Sequence, residues 1–347
     1  MIFLGDLACP ENRVNAFIDC INSMDIFKDE IVVINLEANI VDDVPERKAL
    51  TLYNVSKIVN AFRQAKKVIV SLANNHMYDY PNRILATKEI LEQAGIGVFG
   101  LYEGDQIRPF EYTDSDEINY AFFGHCWRLY TNTNKNTEND VRVVDCPYDE
   151  FAEMIEAYIS GHPSVEVYCF MHWNYDLEQY PFPVHRNLSK KLIDLGVSGV
   201  IGSHSHRPQG FEIYKGKPIA YCLGNFYLPS GCYFNGNLNY PECSKTTYGI
   251  KISDSGIDRA WFETDKSGHD LPVILTRIEK DILHNHDFPD YIDMEDKVYL
   301  DFFKKNRKKK LLVPVFSELG GVRMAYQEKW AIQRVKILRQ AKRWMKK

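Results

Sequence analysis

At 347 residues, 45% hydrophobic and 26% charged, the chain has the length and mix of one large globular domain or two modest ones. That excludes a disulfide miniprotein and a disordered tail, and a net charge of −5 gives no global electrostatic reason to expect nucleic acid as a partner. The balance hides a polarised chain: from Lys304 onward 15 Lys/Arg face two acids, Glu318 and Glu328, a net +13 that leaves −18 on residues 1–303.

Apolar runs of strand length alternate with helix-period segments through the first two-thirds, the pattern of an α/β domain. Strands are expected at the initial MIFLG, IVVINL (31–36), KVIVSLA (67–73), GVFG (97–100), NYAFFG (119–124), VEVYCFM (165–171), GVIGS (199–203) and PIAYCLG (218–224). Helices are expected over Ile84–Ala94, stopped by Gly95, and over Leu188–Leu195, stopped by Gly196. YKGKPIAY predicts a hairpin around Lys215-Gly216, so the sheet is not purely parallel. TNTNKNTEND (131–140) reads as a surface loop, and the Gly-, Asn- and Tyr-rich segment 230–249 as either a lid beside a site or a surface insertion. After Trp261 the alternation fades. This divides the chain into a domain at 1–262, an acidic connecting segment at 263–303 and a basic tail at 304–347.

The eight cysteines form no Cys-x-x-Cys pair and read as buried, reduced thiols. The initial strand leaves no room for a signal sequence, and no apolar run reaches 18 residues. The expectation is a cytoplasmic protein that touches a membrane only peripherally, at its inner face.

Chemistry enters where the strands end. Asp6 closes IFLGD, Glu37 closes IVVINLE, Asn75 and His76 close VIVSLANNH, His172 closes VYCFMH, and His204 and His206 close VIGSHSH. In a mostly parallel sheet the carboxyl ends share one edge, where such folds place their ligands. Carboxylates, an amide oxygen and imidazoles together suit Mn²⁺, Fe²⁺ or Zn²⁺ better than Ca²⁺. Glu37 is the candidate bridge between two ions, and His204 and His206, at i and i+2 on a segment read as extended, can face the same way. His125 and Asn225 also finish strands and are candidates for the rim, with Arg207 as a fork for an anionic substrate group.

These residues carry a family resemblance. GDLA, INLEANI, SLANNHMYDY, MHWNYD and LIDLGVSGVIGSHSHRPQGFEIYKGKPIAYCLGNF, in that order over about residues 1–262, resemble the CapA (poly-γ-glutamate capsule biosynthesis) family within the calcineurin-like metallophosphoesterase superfamily. The resemblance implies a four-layer sandwich of two mixed β-sheets flanked by helices, here with a C-terminal helical extension. It implies a metal centre of one or two ions, with Glu37, Asn75, His172 and His204 around one and Asp6, Glu37 and His206 around the other. It assigns His76 to protonating the leaving group, and so implies a metal-dependent phosphoester hydrolase in capsule or cell-surface polymer biosynthesis; Asp79, three residues on, reads as either the group that orients His76 or a cap or turn residue in HMYDYPN. The chain departs from the pattern twice. Asp6-Leu7-Ala8 stands where calcineurin-like enzymes carry Asp-x-His, and HWNYD stands where the family resembles His-Trp-Gly-x-Glu. The missing imidazole motivates the alternative of a non-catalytic accessory protein that binds an anionic polymer or organises a synthesis or export complex.

In the tail, a helix is expected over Met324–Met345, with Trp330, Ile337, Leu338, Ala341, Trp344 and Met345 on one face and basic residues on the other. Such a helix can lie on an anionic membrane, pack on the acidic domain, or dock on a capsule-synthesis partner.

Overall fold

The computed structural model describes residues 1–43, 50–131, 141–264, 271–282, 291–308 and 312–344, with side chains of the final helix described through Arg334 and at Ile337. The first half contributes β1 (Ile2–Leu7), α1 (Glu11–Asn22), β2 (Ile31–Leu36), β3 (Lys67–Ser71), α2 (Ile84–Gln93) and β4 (Gly97–Phe99). A ribbon of β5 (Tyr102–Glu103) and β6 (Gln106–Ile107) leads to β7 (Phe110–Thr113), β8 (Asn119–Cys126), α3 (Tyr148–Gly161) and β9 (Glu166–His172). Then come α4 (Pro183–Asp194), β10 (Gly199–Ser203), β11 (Phe211–Tyr214), β12 (Lys217–Ala220) and β13 (Asn225–Tyr227). The chain closes with β14 (Thr246–Ser253), β15 (Gly256–Thr264), β16 (Val273–Glu279), α5 (Asp296–Asn306) and α6 (Gly321–Trp344).

Two mixed sheets result. One has the order β16-β15-β14-β1-β2-β3-β4, with β13 also paired to β1; the other has the order β11-β12-β10-β9-β8-β7. The first sheet is parallel from β1 to its β4 edge and antiparallel on the β14–β16 side, whereas the parallel centre of the second is bordered by antiparallel strands at both edges. Alternation within each run assigns the faces. On β9, Val167, Cys169 and Met171 join a core with α3 and α4, while Tyr168 and Phe170 enter the core between the sheets. On β2, Val32 and Ile34 pack with Val14 and Phe17 of α1, and Ile31 and Val33 face the other sheet. The layers are therefore helix, sheet, sheet, helix, the expected sandwich.

Two glycines permit the close approaches behind the site. A Cβ on Gly5 of β1 would lie 1.9 Å from Gly224 O, and one on Gly202 of β10 would lie 2.0 Å from Tyr221 O. The hairpin around Lys215-Gly216 joins β11 to β12, both residues having positive φ (51° and 75°) as a two-residue turn requires.

Other expectations change. All eight cysteines are free, but only five are buried; Cys146 and Cys232 are half-buried and Cys243 is exposed. The fading alternation after Trp261 conceals β16, which borders the first sheet, and α5, whose Tyr299 and Phe303 enter the second core. Beyond Thr131 the loop expected at 131–140 lies outside the described residues.

The α6 helix overturns the expected apolar face. Met324 and Ala331 pack into the second core, and between them the buried Glu328 accepts from Trp127 Nε1 at 3.3 Å and faces Arg128 Nε at 3.7 Å. Trp330 and Ile337, expected on the apolar face, are exposed and do not pack on the domain core. The helix docks through 324, 328 and 331, a stripe that the carboxylate inside it disguised. Leu338, Ala341, Trp344 and Met345 of the expected face lie outside the described side chains.

Candidate metal centre

The carboxyl ends of β1, β2, β9 and β10, with the turn after β3, converge at the edge where the two sheets meet. Glu37 follows β2, and both of its carboxylate oxygens are buried without a hydrogen-bond partner. Three imidazoles point at it instead: His76 Nε2 at 3.7 Å, and His172 Nε2 and His206 Nε2 at 3.9 Å each from Oε1. Ligand atoms of Glu37, His204 and His206 lie within 4.8 Å of one another. His172 Nε2 stands 2.7 Å from Asn75 Oδ1 and 2.9 Å from His204 Nδ1, so two ring nitrogens and an amide oxygen share one small space. Asp6 completes the group, its Oδ2 lying 3.7 Å from His206 Nδ1 and accepting from the His204 backbone N–H at 3.1 Å.

Supporting hydrogen bonds fix these side chains. Asn74 Nδ2 donates to Asn35 Oδ1, and Asn35 Nδ2 donates to Asp6 Oδ1 at 2.8 Å. Ser203 Oγ lies 2.9 Å from His172 Nδ1, and Asn225 Oδ1 lies 2.9 Å from His206 Nδ1. An Nδ1–H donated to these oxygens leaves Nε2 of each ring as a lone pair, the tautomer that a metal ligand needs. His76 Nδ1 binds Asp79 Oδ2 at 2.8 Å, and the same oxygen accepts from Leu52 N at 2.9 Å.

Electrostatics agree with this donor set. Burial, then the neighbouring Asp6, Asp176 and Asp79 carboxylates, push Glu37 well above the ordinary carboxylate range. Burial also raises Asp6 against the opposing influence of His206. Burial and neighbouring imidazoles hold His172 well below its ordinary value, and burial likewise lowers His206. Among the described residues no Lys or Arg pairs with Asp6 or Glu37. Two fully buried carboxylates facing neutral imidazoles are costly in a low-dielectric setting unless a cation joins them. The residues fit a divalent ion.

The structure thus brings together Asp6, Glu37, Asn75, His76, Asp79, His172, His204, His206 and Asn225. One premise fails. The His204–His206 segment is not extended: φ is +86° at His204 and +56° at His206, a left-handed backbone costly for non-glycine residues. The turn brings the ring centroids to 5.7 Å. His125 does not reach the rim. It lies on the outward face of β8 with Ala121 and Phe123, its Nε2 2.8 Å from Cys146 O and its ring against Phe151. Arg207 stands one residue beyond the cluster and borders a groove described below.

Sequence reasoning missed several members. Asp176 Oδ1 lies 3.3 Å from His204 Nε2, the Tyr130 ring centroid is 4.2 Å from that of His204, and Tyr240, from segment 230–249, packs 5.0 Å from His206. The HWNYD departure marked Asp176, and the lid reading of the Tyr-rich segment 230–249 covered Tyr240 without singling it out; Tyr130 left no signal. Asn174 holds the position of the family's glycine at φ +76°, a conformation Asn tolerates better than most residues. Ala8, where an imidazole is missing, is buried with Leu52, Leu228 and Tyr233.

Comparison with known proteins adds the following. A family model described as bacterial capsule synthesis protein PGA_cap matches residues 16–230. The chain is 25% identical over 189 residues to the capsule biosynthesis protein CapA of Bacillus anthracis, covering 53% of this chain and 46% of that one. It is 24% identical over 194 residues to the PGA biosynthesis protein CapA of Bacillus subtilis, covering 53% and 48%. The chain therefore spans about half the length of these curated relatives. Among solved structures, a putative 5′-nucleotidase from Staphylococcus aureus aligns with 12% identity and a TM-score of 0.40, covering 88% of this chain and 57% of that one.

Proposed function

The chain belongs to the bacterial capsule synthesis family PGA_cap, and from that premise we propose that it is a metal-dependent phosphoester hydrolase serving synthesis of a capsule or cell-surface polymer, poly-γ-glutamate or polysaccharide. The observation that carries this reading is the Glu37 carboxylate, buried and without a hydrogen bond, at the focus of four histidines and Asn75. Glu37, Asn75, His172 and His204 would hold one ion, and Glu37, Asp6 and His206 a second. A bound Mn²⁺, Fe²⁺ or Zn²⁺ supplies a Lewis acid that lowers the pKa of water and offsets charge on a phosphoryl oxygen.

The chain's own residues do the rest. Asp79 holds His76 Nδ1, so Nε2 faces the site, where the ring in its imidazolium form would carry a second proton for the leaving oxygen of the substrate. Asn35, Ser203 and Asn225 orient Asp6, His172 and His206. Arg207 supplies a guanidinium for an anionic part of the substrate. The test is hydrolysis of a phosphoester panel by Mn²⁺-loaded protein beside His76→Asn and His172→Ala. Turnover that both substitutions abolish supports the reading; no turnover on any substrate overturns it.

Ala8 favours a second reading, an accessory protein whose centre binds an anionic polymer or organises a synthesis complex without turnover. Metal binding with no hydrolysis, and polymer output lost in a Glu37→Ala strain, is the outcome that selects it. The cytoplasmic side of the membrane is the proposed location; among the described residues no helix is long and apolar enough to cross a membrane.

A further inference from the structure

β14, β15 and β16 lie at one border of the first sheet, and their residues Tyr248, Arg259, Trp261, Arg277 and Glu279 line, with the 207–211 segment, a groove of about 690 Å³. Antiparallel register sets its chemistry: Trp261 lies opposite Arg277, and Arg259 opposite Glu279. Both guanidiniums lie over the indole, Arg259 at 5.2 Å and Arg277 at 4.7 Å from the ring centroid, and both contact Glu279. Arg207, from the 207–211 segment, lines the same groove. Its Nε is buried without a hydrogen bond, and its guanidinium makes no ion pair among the described residues. Among the described residues that line the groove, three guanidiniums thus stand with one carboxylate, which pairs with Arg259 and Arg277 and leaves Arg207 without one. The excess is two positive charges held at two separate places in a cleft lined by aromatic rings.

We propose that this groove binds a chain carrying more than one anionic group, with one anion on Arg207 and another on Arg277, and the links between them against Trp261. Planar guanidinium forks recognise carboxylate and phosphate alike, and the cavity is much larger than either group alone. The separation of the two positive centres therefore selects for a chain over a single ion. The site goes beyond the metal centre and does not depend on it, although Arg207 follows His206 directly and an occupied groove would lead its ligand toward that edge.

The test is calorimetric titration of the full chain with hexaglutamate and with tripolyphosphate, each beside its monomer, glutamate or inorganic phosphate. Expected is binding of at least one chain about tenfold or more tighter than its monomer, weakening as salt rises. Whichever chain binds tighter identifies the anion as carboxylate or phosphate. Arg207→Gln and the exposed Arg277→Gln should each weaken binding about tenfold. Glu37→Gln, which disables the metal centre with little change of shape, should leave binding unchanged. Equal affinity for chain and monomer, no binding, or indifference to both arginine substitutions overturns the proposal. Loss in Glu37→Gln alone also overturns it, by returning the anion to the metal centre.

Discussion

Two groups of buried histidines occupy opposite faces of one sheet. His125 and His185 lie on the helix side, sealed among Trp127, Tyr148 and Trp173; His172 and His204 lie on the side facing the first sheet. Burial holds His125, His172 and His185 below the ordinary imidazole pKa. Burial therefore does not separate a ligand from a core residue. What separates them is what each ring faces: His125 meets a backbone carbonyl and aromatic edges, whereas His172 meets Asn75 Oδ1, a second imidazole and the unpaired Glu37.

Substitutions on each side test that distinction. The largest effect is expected at Glu37→Gln, which removes the carboxylate shared by the cluster and should abolish metal retention, read as ions per chain by elemental analysis beside wild type. A variant that keeps its full metal content would show that the imidazoles alone suffice. Next comes His76→Asn, expected to retain metal while kcat on a phosphoester falls about 10²- to 10⁴-fold. If metal is lost as well, His76 is a ligand rather than a proton donor.

On the helix side, His125→Phe should leave metal content and turnover unchanged and act on acid stability. Burial lowers the His125 pKa from 6.5 to about 4. Below pH 6.5 the unfolded chain takes up a proton that the folded chain refuses, so this contribution to stability is full above pH 6.5 and falls by about 3 kcal/mol on approaching pH 4. Urea midpoints at neutral and acid pH should therefore converge in the variant relative to wild type. An unchanged gap would mean that the ring charges without unfolding. The smallest effect is expected at Asn225→Ala, which frees His206 Nδ1 and should weaken metal affinity about 10- to 100-fold while ligand number is kept. Unchanged affinity would reassign Asn225 to substrate contact.

Much of this was legible in the strands. The runs at 31–36 and 199–203 match the observed bounds, and the residues closing them meet at one edge because parallel strands end together. The side of the sheet was legible too, but only by counting parity. His172 shares its face with Phe170 and Tyr168, which look inward, whereas His125 shares its face with Phe123 and Ala121, which look outward. Ending a strand was not enough; the even or odd step decided. Turn geometry was not legible. The left-handed backbone at His204 and His206 is uncommon for residues other than glycine, and nothing in SHSH announces it. The α6 stripe was hidden because Glu328 interrupts the apolar pattern, and the groove because Arg259 and Arg277 become neighbours only through the β15–β16 pairing.

The first strand of the chain is an interior strand of its sheet. β1 is bounded by β2 on one side and by β13 and β14 on the other, so Asp6 acquires its final neighbours only when residues about 220 positions later pair with it. At about 5–20 residues per second, His206 leaves the ribosome about 10–40 s after Asp6. Through that interval Asp6 and Glu37 are two solvated acids among many, with no preference for one ion over another. At the proposed centre, selection of an ion would thus be a late event in the life of the chain, made by a closed sheet rather than by nascent segments. The ion supply that would matter is therefore the one present where the last strands join.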